Sequence, residues 1–269
     1  MTSCPISVYI VAKNEADRIG RAIRSVVDWV DEVIVIDSGS GDETVHIASR
    51  TGARVLYHPW PGYGPQKRYA EDQCRNRWLL NLDADEEIRP ELATEIQLKF
   101  RQLPDCAAYR MRVTDMLPGE KRPKWFAYSY RIMRLYNRQY GRCSDHAYKD
   151  RVEINHGEVE DLRSRIWHHS FRSWESTVAK LNFYTSQVAT DRIHRSMSLL
   201  PVRLFTEFPL HFLKCYVGRR FLLRGAMGLA MSLTVAYLNL LRLLKTAELQ
   251  SESEAASDGT HPANLREVA

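Results

Sequence analysis

The chain has 269 residues, 44% of them hydrophobic and 26% charged, with a formal net charge of +5. That composition excludes a disordered or collagen-like chain and suits one large α/β domain with an appendage, or two small domains. The charge is unevenly placed: Lys and Arg against Asp and Glu number 12 to 16 in residues 1–100, 11 to 5 in 101–150 and 7 to 2 in 201–250. Different regions therefore face different partners. The five cysteines have no CxxC spacing, which argues against a disulfide framework or a zinc site and for a reducing compartment.

The opening MTSCPISVYIVAKNE lacks a basic n-region and a cleavage site, so it reads as a first strand over 6–12 and not as a signal peptide. Ile19, Ile23, Val26, Val27 and Val30 recur at helical spacing, with Asn14 as a cap. VIVID (33–37) is a second strand and SGSG a turn. DETVHIASR is predicted as a helix with Asp42 at its N-cap and Gly52 just past its end. ARVLYH is a third strand, PWPGYGP a loop, QKRYAEDQCRN a helix and RWLLNL a fourth strand. Pro90 opens a further helix, where its missing N–H costs nothing. Strands and helices alternating in this way predict βαβ units and a mainly parallel sheet. Beyond residue 105, CAAYRMRV, YRIMRLY, DRVEI and RIWHHS are shorter strand candidates, and 172–195 is helical.

In such sheets ligands lie beyond the carboxyl ends of the strands. Asn14, Glu15, Asp37, Asp83 and Asp85 all follow strand ends, so acids from separate strands meet on one rim. Acids at a helix N-terminus account for Glu86 and Glu87, but leave Asp83 and Asp85 unexplained. Two carboxylates in an Asp-X-Asp pair after a buried strand suit Mg²⁺ or Mn²⁺ shared with a substrate phosphate. Gly39 and Gly41 offer a competing dinucleotide-binding reading. Thr44, however, occupies the third glycine position, and Asp37 stands where a pyrophosphate would need neutral backbone. A carboxylate there suits a uracil or ribose.

IVAKNEADRI, VIVIDSGSGDET, GYGPQKRYAED and WLLNLDADEEI together resemble a family 2 glycosyltransferase of GT-A fold, a Rossmann-like α/β fold. The nearest resemblance is to the bacterial subgroup that adds glucose or a related sugar to the lipopolysaccharide inner core. It covers residues 5–100, and more loosely KDRVEI, IWHHSF and the C-terminal segment. The resemblance implies that Glu15 and Asp37 line the nucleotide pocket. Asp83 would lie near the ribose or metal, and Asp85 would bind the metal bridging the diphosphate. Gln66 and Lys67 would approach the phosphates or donor sugar, and His168 the metal or diphosphate. An inverting transferase needs one carboxylate base. The family's His-acid-Arg-Val stretch appears here as KDRV, with Lys149 for the histidine, so Asp150 matches the base and Asp145 and His146 are alternatives. Trp125, Phe126 and Tyr128 could stack on an acceptor sugar or pack in the core. EKRPK would suit an anionic acceptor.

Residues 225–241 carry no charge, and Arg219, Arg220, Arg224, Arg242 and Lys245 flank them. Basic residues beside apolar helices favour lying on an anionic membrane surface over spanning it. A buried helix or a dimer interface is the competing reading. The expected layout is a transferase domain over 1–200, a membrane-associating helical segment over 201–247 and a disordered tail over 248–269. The expected reaction moves a sugar from a nucleoside diphosphate, UDP above all, to a lipid-linked saccharide acceptor of the lipopolysaccharide core, with no nucleic acid partner, on the cytoplasmic face of the inner membrane. A transferase for another polysaccharide acceptor and a non-catalytic sugar-nucleotide-binding scaffold are the alternatives.

Overall fold

A computed structural model of the chain describes residues 3–147, 150–193 and 200–257. Its contacts divide into two units, Met1–Ser170 and Phe171–Ala269. The boundary therefore falls earlier than residue 200, and the helix expected over 172–195 belongs to the second unit.

The first unit is built on an eight-stranded sheet. Its strands are β1 (Cys4–Ala12), β2 (Val30–Asp37), β3 (Arg54–Tyr57), β4 (Trp78–Asn81), β5 (Glu86–Ile88), β6 (Ala108–Asp115), β7 (Ser129–Asn137) and β10 (Val159–His168), and β8 (Gly141–Cys143) and β9 (Val152–Ile154) form a separate antiparallel pair. The order is β3-β2-β1-β4-β7-β6-β10-β5. The first four run parallel, β7 is antiparallel to both neighbours, β6 and β10 are parallel, and β5 closes the edge antiparallel to β10. Helices α1 (Ile19–Arg24), α2 (Thr44–Arg50), α3 (Tyr63–Gln73) and α4 (Pro90–Lys99) complete the unit.

Alternation along the strands feeds two cores. Ile6, Val8 and Ile10 of β1 pack with Val33, Val35, Leu80 and α1 residues Ile19 and Ile23. Tyr9, Ile34, Ile36 and Leu79 pack with Ala70 of α3. Burying each such aliphatic side chain contributes about 1.5–3 kcal/mol, which is why strands covered on both faces read as continuous apolar runs. All five cysteines are buried thiols.

Local chemistry corrects several expected boundaries. Asn14 does not cap a long helix. It adopts a left-handed backbone with φ 56°, tolerated by a short polar side chain, and α1 is only six residues long. Asp42 is not the N-cap; Glu43 is, and Asp42 instead accepts the Thr44 amide in a turn. Glu86 and Glu87 belong to a strand and not to a helix start.

A buried polar chain ties α3 to the sheet. Tyr9 and Tyr136 hydroxyls meet at 2.7 Å, Tyr136 donates to Glu71 Oε1 at 2.5 Å, and the Cys143 amide donates to the same oxygen at 2.7 Å. Arg142 Nε donates to Glu71 Oε2 at 2.8 Å. A carboxylate accepting three donors in a dry site is costly to delete, because each buried donor left unpartnered costs about 1–3 kcal/mol.

The second unit consists of α5 (Trp174–Asp191), α6 (Leu200–Leu213), a π-helical turn (Lys214–Gly218), a 3₁₀ turn (Phe221–Arg224) and α7 (Gly225–Ser257). A segment within it, Phe221–Glu254, is long and apolar enough to cross a membrane. Helix α7 continues past the expected boundary at 247, so the predicted tail begins as helix. Residues 258–269 lie outside the described residues, as does Lys149.

Replacing Glu71 by Leu should therefore destabilise the protein by about 3 kcal/mol, read as a lower urea midpoint. An unchanged midpoint would show that the Tyr9–Tyr136–Glu71 chain is dispensable.

Candidate active site

Strands β1 and β2 end level, and β4 stops three residues short of them on the same side of the sheet. Ala12 pairs with Asp37 and Tyr9 with Asn81, so the segments that follow emerge on one rim. Polar contacts stitch the first two loops together. The Asn14 amide donates to Ser40 Oγ at 2.9 Å, the Gly41 amide to Asn14 Oδ1 at 2.9 Å and the Glu15 amide to Thr44 Oγ1 at 2.7 Å. Asp37 is buried. Its Oδ2 accepts the Gly39 and Ser40 amides at 2.9 and 3.0 Å, and its Oδ1 accepts Ser40 Oγ at 2.5 Å. The glycine turn thus spends its amides on Asp37 and Asn14, and those donors are not aimed at a pyrophosphate.

Asp83 and Asp85 face different cations. Asp83 Oδ1 lies 3.0 Å from Lys67 Nζ, and Oδ2 lies 2.5 Å from Arg134 Nη2. Burial works against the charge on Asp83, but Arg134 and Lys67 outweigh it and hold the carboxyl far below its usual range. Asp85 Oδ1 lies 3.3 Å from His168 Nε2 and its Oδ2 3.6 Å from Arg18 Nη1. The two aspartates expected to share a metal thus each pair with separate protein cations. Protein cations already neutralise Asp83.

Lys67 is buried and bridges two elements. Its Nζ also lies 2.5 Å from Asp150 Oδ2. Burial alone would lower its pKa, yet Asp83 and Asp150 raise it. In return Lys67, the largest influence on Asp150, holds that carboxyl below its usual range against desolvation. Among the described contacts Asp150 joins this cluster. Asp145 is exposed, and the His146 carbonyl accepts the Gly64 amide at 3.2 Å. Gln66 is fully buried and uses its side chain on His58 and Ser38, so it braces the ends of β2 and β3.

The glycines before α3 have a geometric purpose. A Cβ at Gly64 would lie 2.2 Å from the Ser144 carbonyl oxygen, and one at Gly62 would lie 2.9 Å from Ala147 Cα. The Tyr63 amide also donates to the Ala147 carbonyl at 2.8 Å. Bare backbone lets residues 144–147 lie directly against the start of α3.

His168 stands between two acids, with Nδ1 2.7 Å from Asp115 and Nε2 facing Asp85. Burial pulls its pKa down, but hydrogen bonds to both carboxylates push it up to about 10. Glu86, buried beside Arg134 at 2.6 Å, has its pKa raised by desolvation against the pull of that arginine. Glu86 is therefore no solvated loop acid, since β5 pairs with β10 and carries it inside.

The described residues hold no ready set of three or more metal-ligating His, Cys, Asp or Glu side chains. Asp85 and His168 nevertheless converge, and a hard carboxylate beside an imidazole fits a divalent ion that keeps its waters and takes substrate phosphates as further ligands.

Arg134, Asp115 and Arg18 were not singled out from sequence. Arg134 interrupts an apolar strand, and a charge in a buried strand demands a partner. Asp115 ends β6 as Asp37 ends β2. Arg18 pairs with Glu15 and donates to the His169 carbonyl at 3.0 Å.

Residues 7–155 match the sequence profile of Glycosyl transferase family 2. A glycosyltransferase of Rickettsia prowazekii is 39% identical over 259 residues, covering 93% of this chain and 89% of that one. The chain belongs to glycosyltransferase family 2. LpsC, a lipopolysaccharide core biosynthesis glycosyltransferase of Rhizobium meliloti, is 27% identical over 229 residues, covering 79% of this chain and 80% of LpsC. Among solved structures, mannosyl-3-phosphoglycerate synthase from Rubrobacter xylanophilus aligns at TM-score 0.45 and 15% identity over 73% of this chain and 77% of that one. Glucosyl-3-phosphoglycerate synthase from Mycobacterium tuberculosis, crystallised with Mn²⁺, UDP and glucosyl-3-phosphoglycerate, aligns at TM-score 0.33 and 25% identity over 43% of this chain and 45% of that one. The family 2 chain has a mostly parallel sheet flanked by helices.

Lys67→Met should lower kcat about 10²-fold and move the acidic limb of kcat/KM to higher pH, because Asp150 loses the cation that keeps it ionised. Lys67→Arg should recover part of both. A variant with normal kcat and an unmoved limb would remove Lys67 from the site. His168 should carry both ring protons at neutral pH in the metal-free protein, as ¹⁵N NMR would show. Its folded pKa lies above the unfolded value near 6.5. Its contribution is thus complete below about pH 6.5 and is lost as pH rises through about 10. His168→Gln should flatten the stability curve over that interval.

Proposed function

We propose that the chain is an inverting, divalent-cation-dependent glycosyltransferase that moves a sugar, glucose in the first instance, from a UDP-sugar to a lipid-linked saccharide of the lipopolysaccharide core. The observation that carries this reading is the Lys67 bridge, which joins Asp83 on the strand-end rim to Asp150 at 3.0 and 2.5 Å. Asp83, with Asp37 and Glu15, lines the nucleotide side, and Asp150 serves the acceptor side.

In inversion, the acceptor hydroxyl attacks the anomeric carbon while the bond to the diphosphate breaks. Asp150 receives the hydroxyl proton, and Lys67 keeps its carboxylate ionised for that task. General-base help of this kind is worth about 10²–10⁴-fold. Asp85 and His168 would hold the cation, which offsets charge developing on the departing diphosphate. Arg18 and Arg134 fix Asp85 and Asp83, so the rim does not have to reorganise. Lys121, Arg122 and Lys124 beside the largely exposed Trp125 suit an anionic sugar acceptor. The likeness to LpsC supports a lipopolysaccharide core acceptor and thus work at the cytoplasmic face of the inner membrane.

Donor hydrolysis and transfer should be followed across a panel of nucleotide sugars with and without Mn²⁺. Asp150→Asn should cut kcat about 10²–10⁴-fold while leaving UDP binding in place, and Asp85→Ala should abolish the Mn²⁺-dependent gain in thermal stability with UDP. Binding without turnover by the wild type would favour the non-catalytic scaffold. Turnover equal in Asp150→Asn would shift the base to Asp145 or His146.

A further inference from the structure

We propose that α6 and the turns after it, rather than α7, form the surface that lies in the headgroup layer of an anionic phospholipid membrane. This rests on the reading of the enzyme as peripheral to a membrane that carries its acceptor. Helix α6 has no buried residue. Val202, Phe205, Leu210 and Leu213 are exposed by 53%, 83%, 62% and 54%, and their spacing places them on one stripe of the helix. The opposite face is committed within the chain: Glu207 pairs with Arg242 of α7 at 2.7 Å and with Arg203 and His211 of its own helix. The apolar stripe therefore points away from α7. The chain then exposes Val217, Leu222 and Leu223 beside exposed Lys214 and Arg220. Across 200–224 the only acid is Glu207, against five Lys or Arg. An apolar stripe with a basic rim is complementary to anionic lipid.

Helix α7 passes the length and composition test for spanning, but one of its faces is packed within the chain. Ser232, Ala236, Leu238, Leu243 and Thr246 are buried. Lys245 Nζ donates to the Asn182 carbonyl and to Thr185 and Ser186 hydroxyls of α5 at 3.1, 3.1 and 2.7 Å. A spanning α7 would have to give up these contacts for lipid. Helix α7 also exposes Leu229, Leu233, Tyr237 and Leu244, but by 39–53% against 53–83% for the stripe of α6, so α6 presents the more open apolar face.

The test uses the full chain with vesicles of phosphatidylcholine alone or mixed equally with phosphatidylglycerol. The five native thiols are buried, so a fluorophore on Phe205→Cys or Tyr237→Cys reports one site. We expect co-sedimentation with the anionic vesicles only, weakened by salt, with a blue shift at 205 and none at 237. Phe205→Asp with Leu213→Asp should weaken binding roughly tenfold or more at unchanged helical circular dichroism. Where that pair unfolds the chain, the label comparison still decides. A blue shift at 237 alone, or equal binding to neutral vesicles, would overturn the proposal. So would a concentration-dependent dimer that Phe205→Asp dissociates and that ignores vesicles, since the stripe would then cover a second copy. Donor hydrolysis without vesicles is read separately, so loss of transfer chemistry and loss of docking are distinguished.

Discussion

A single buried ammonium organises the rim. Lys67 sits in a dry position that would discharge an isolated lysine, and it remains charged because Asp83 and Asp150 approach it from two directions. The dependence is mutual. Without it Asp83 would keep Arg134, but Asp150 would lose its nearest cation and face a second carboxylate from a distant part of the sequence. Helix α3 supplies that cation, the turn after β4 supplies one acid and the segment before β9 supplies the other. Placing one side chain correctly therefore requires the parallel sheet, the helix packed on it and the β8–β9 pair all to be formed.

The same reasoning separates what could be read from the sequence and what could not. Period-two and continuous apolar runs marked β1 to β4, and Pro90 marked the start of α4, because burial and proline geometry are local properties of the chain. Strand ends then placed Asp37, Asp83 and Asp85 on one rim, and the ordered motifs carried the family resemblance that the profile match bears out. The partners of those acids were less legible. Arg134 and Asp115 lie on β7 and β6, and nothing short of the strand order β4-β7-β6-β10 brings them beside Asp83 and His168. Glu86 was misread because an acid before a helix looks the same in sequence as an acid in a three-residue edge strand. Asn14 was misread because a capping side chain and a left-handed turn favour the same residue.

In the second unit the apolar run of 225–241 drew attention in the sequence for its lack of charge. The structure shifts the weight to the shorter α6. Hydrophobicity summed along a helix reports how much apolar surface exists; only packing reports which part of it is covered. Serine, alanine and threonine spaced along α7 let neighbouring helices approach, whereas Val202, Phe205, Leu210 and Leu213 of α6 stay largely exposed.

The backbone contact at Gly64 carries one more consequence. Because a carbonyl of Ser144 occupies the space a side chain would need, the start of α3 and the segment leading to Asp150 are complementary surfaces that must change together. Recombining sequence between relatives across this contact would succeed only where both halves travel as one cassette, so an exchange that takes in residues 144–147 must carry the start of α3 with it.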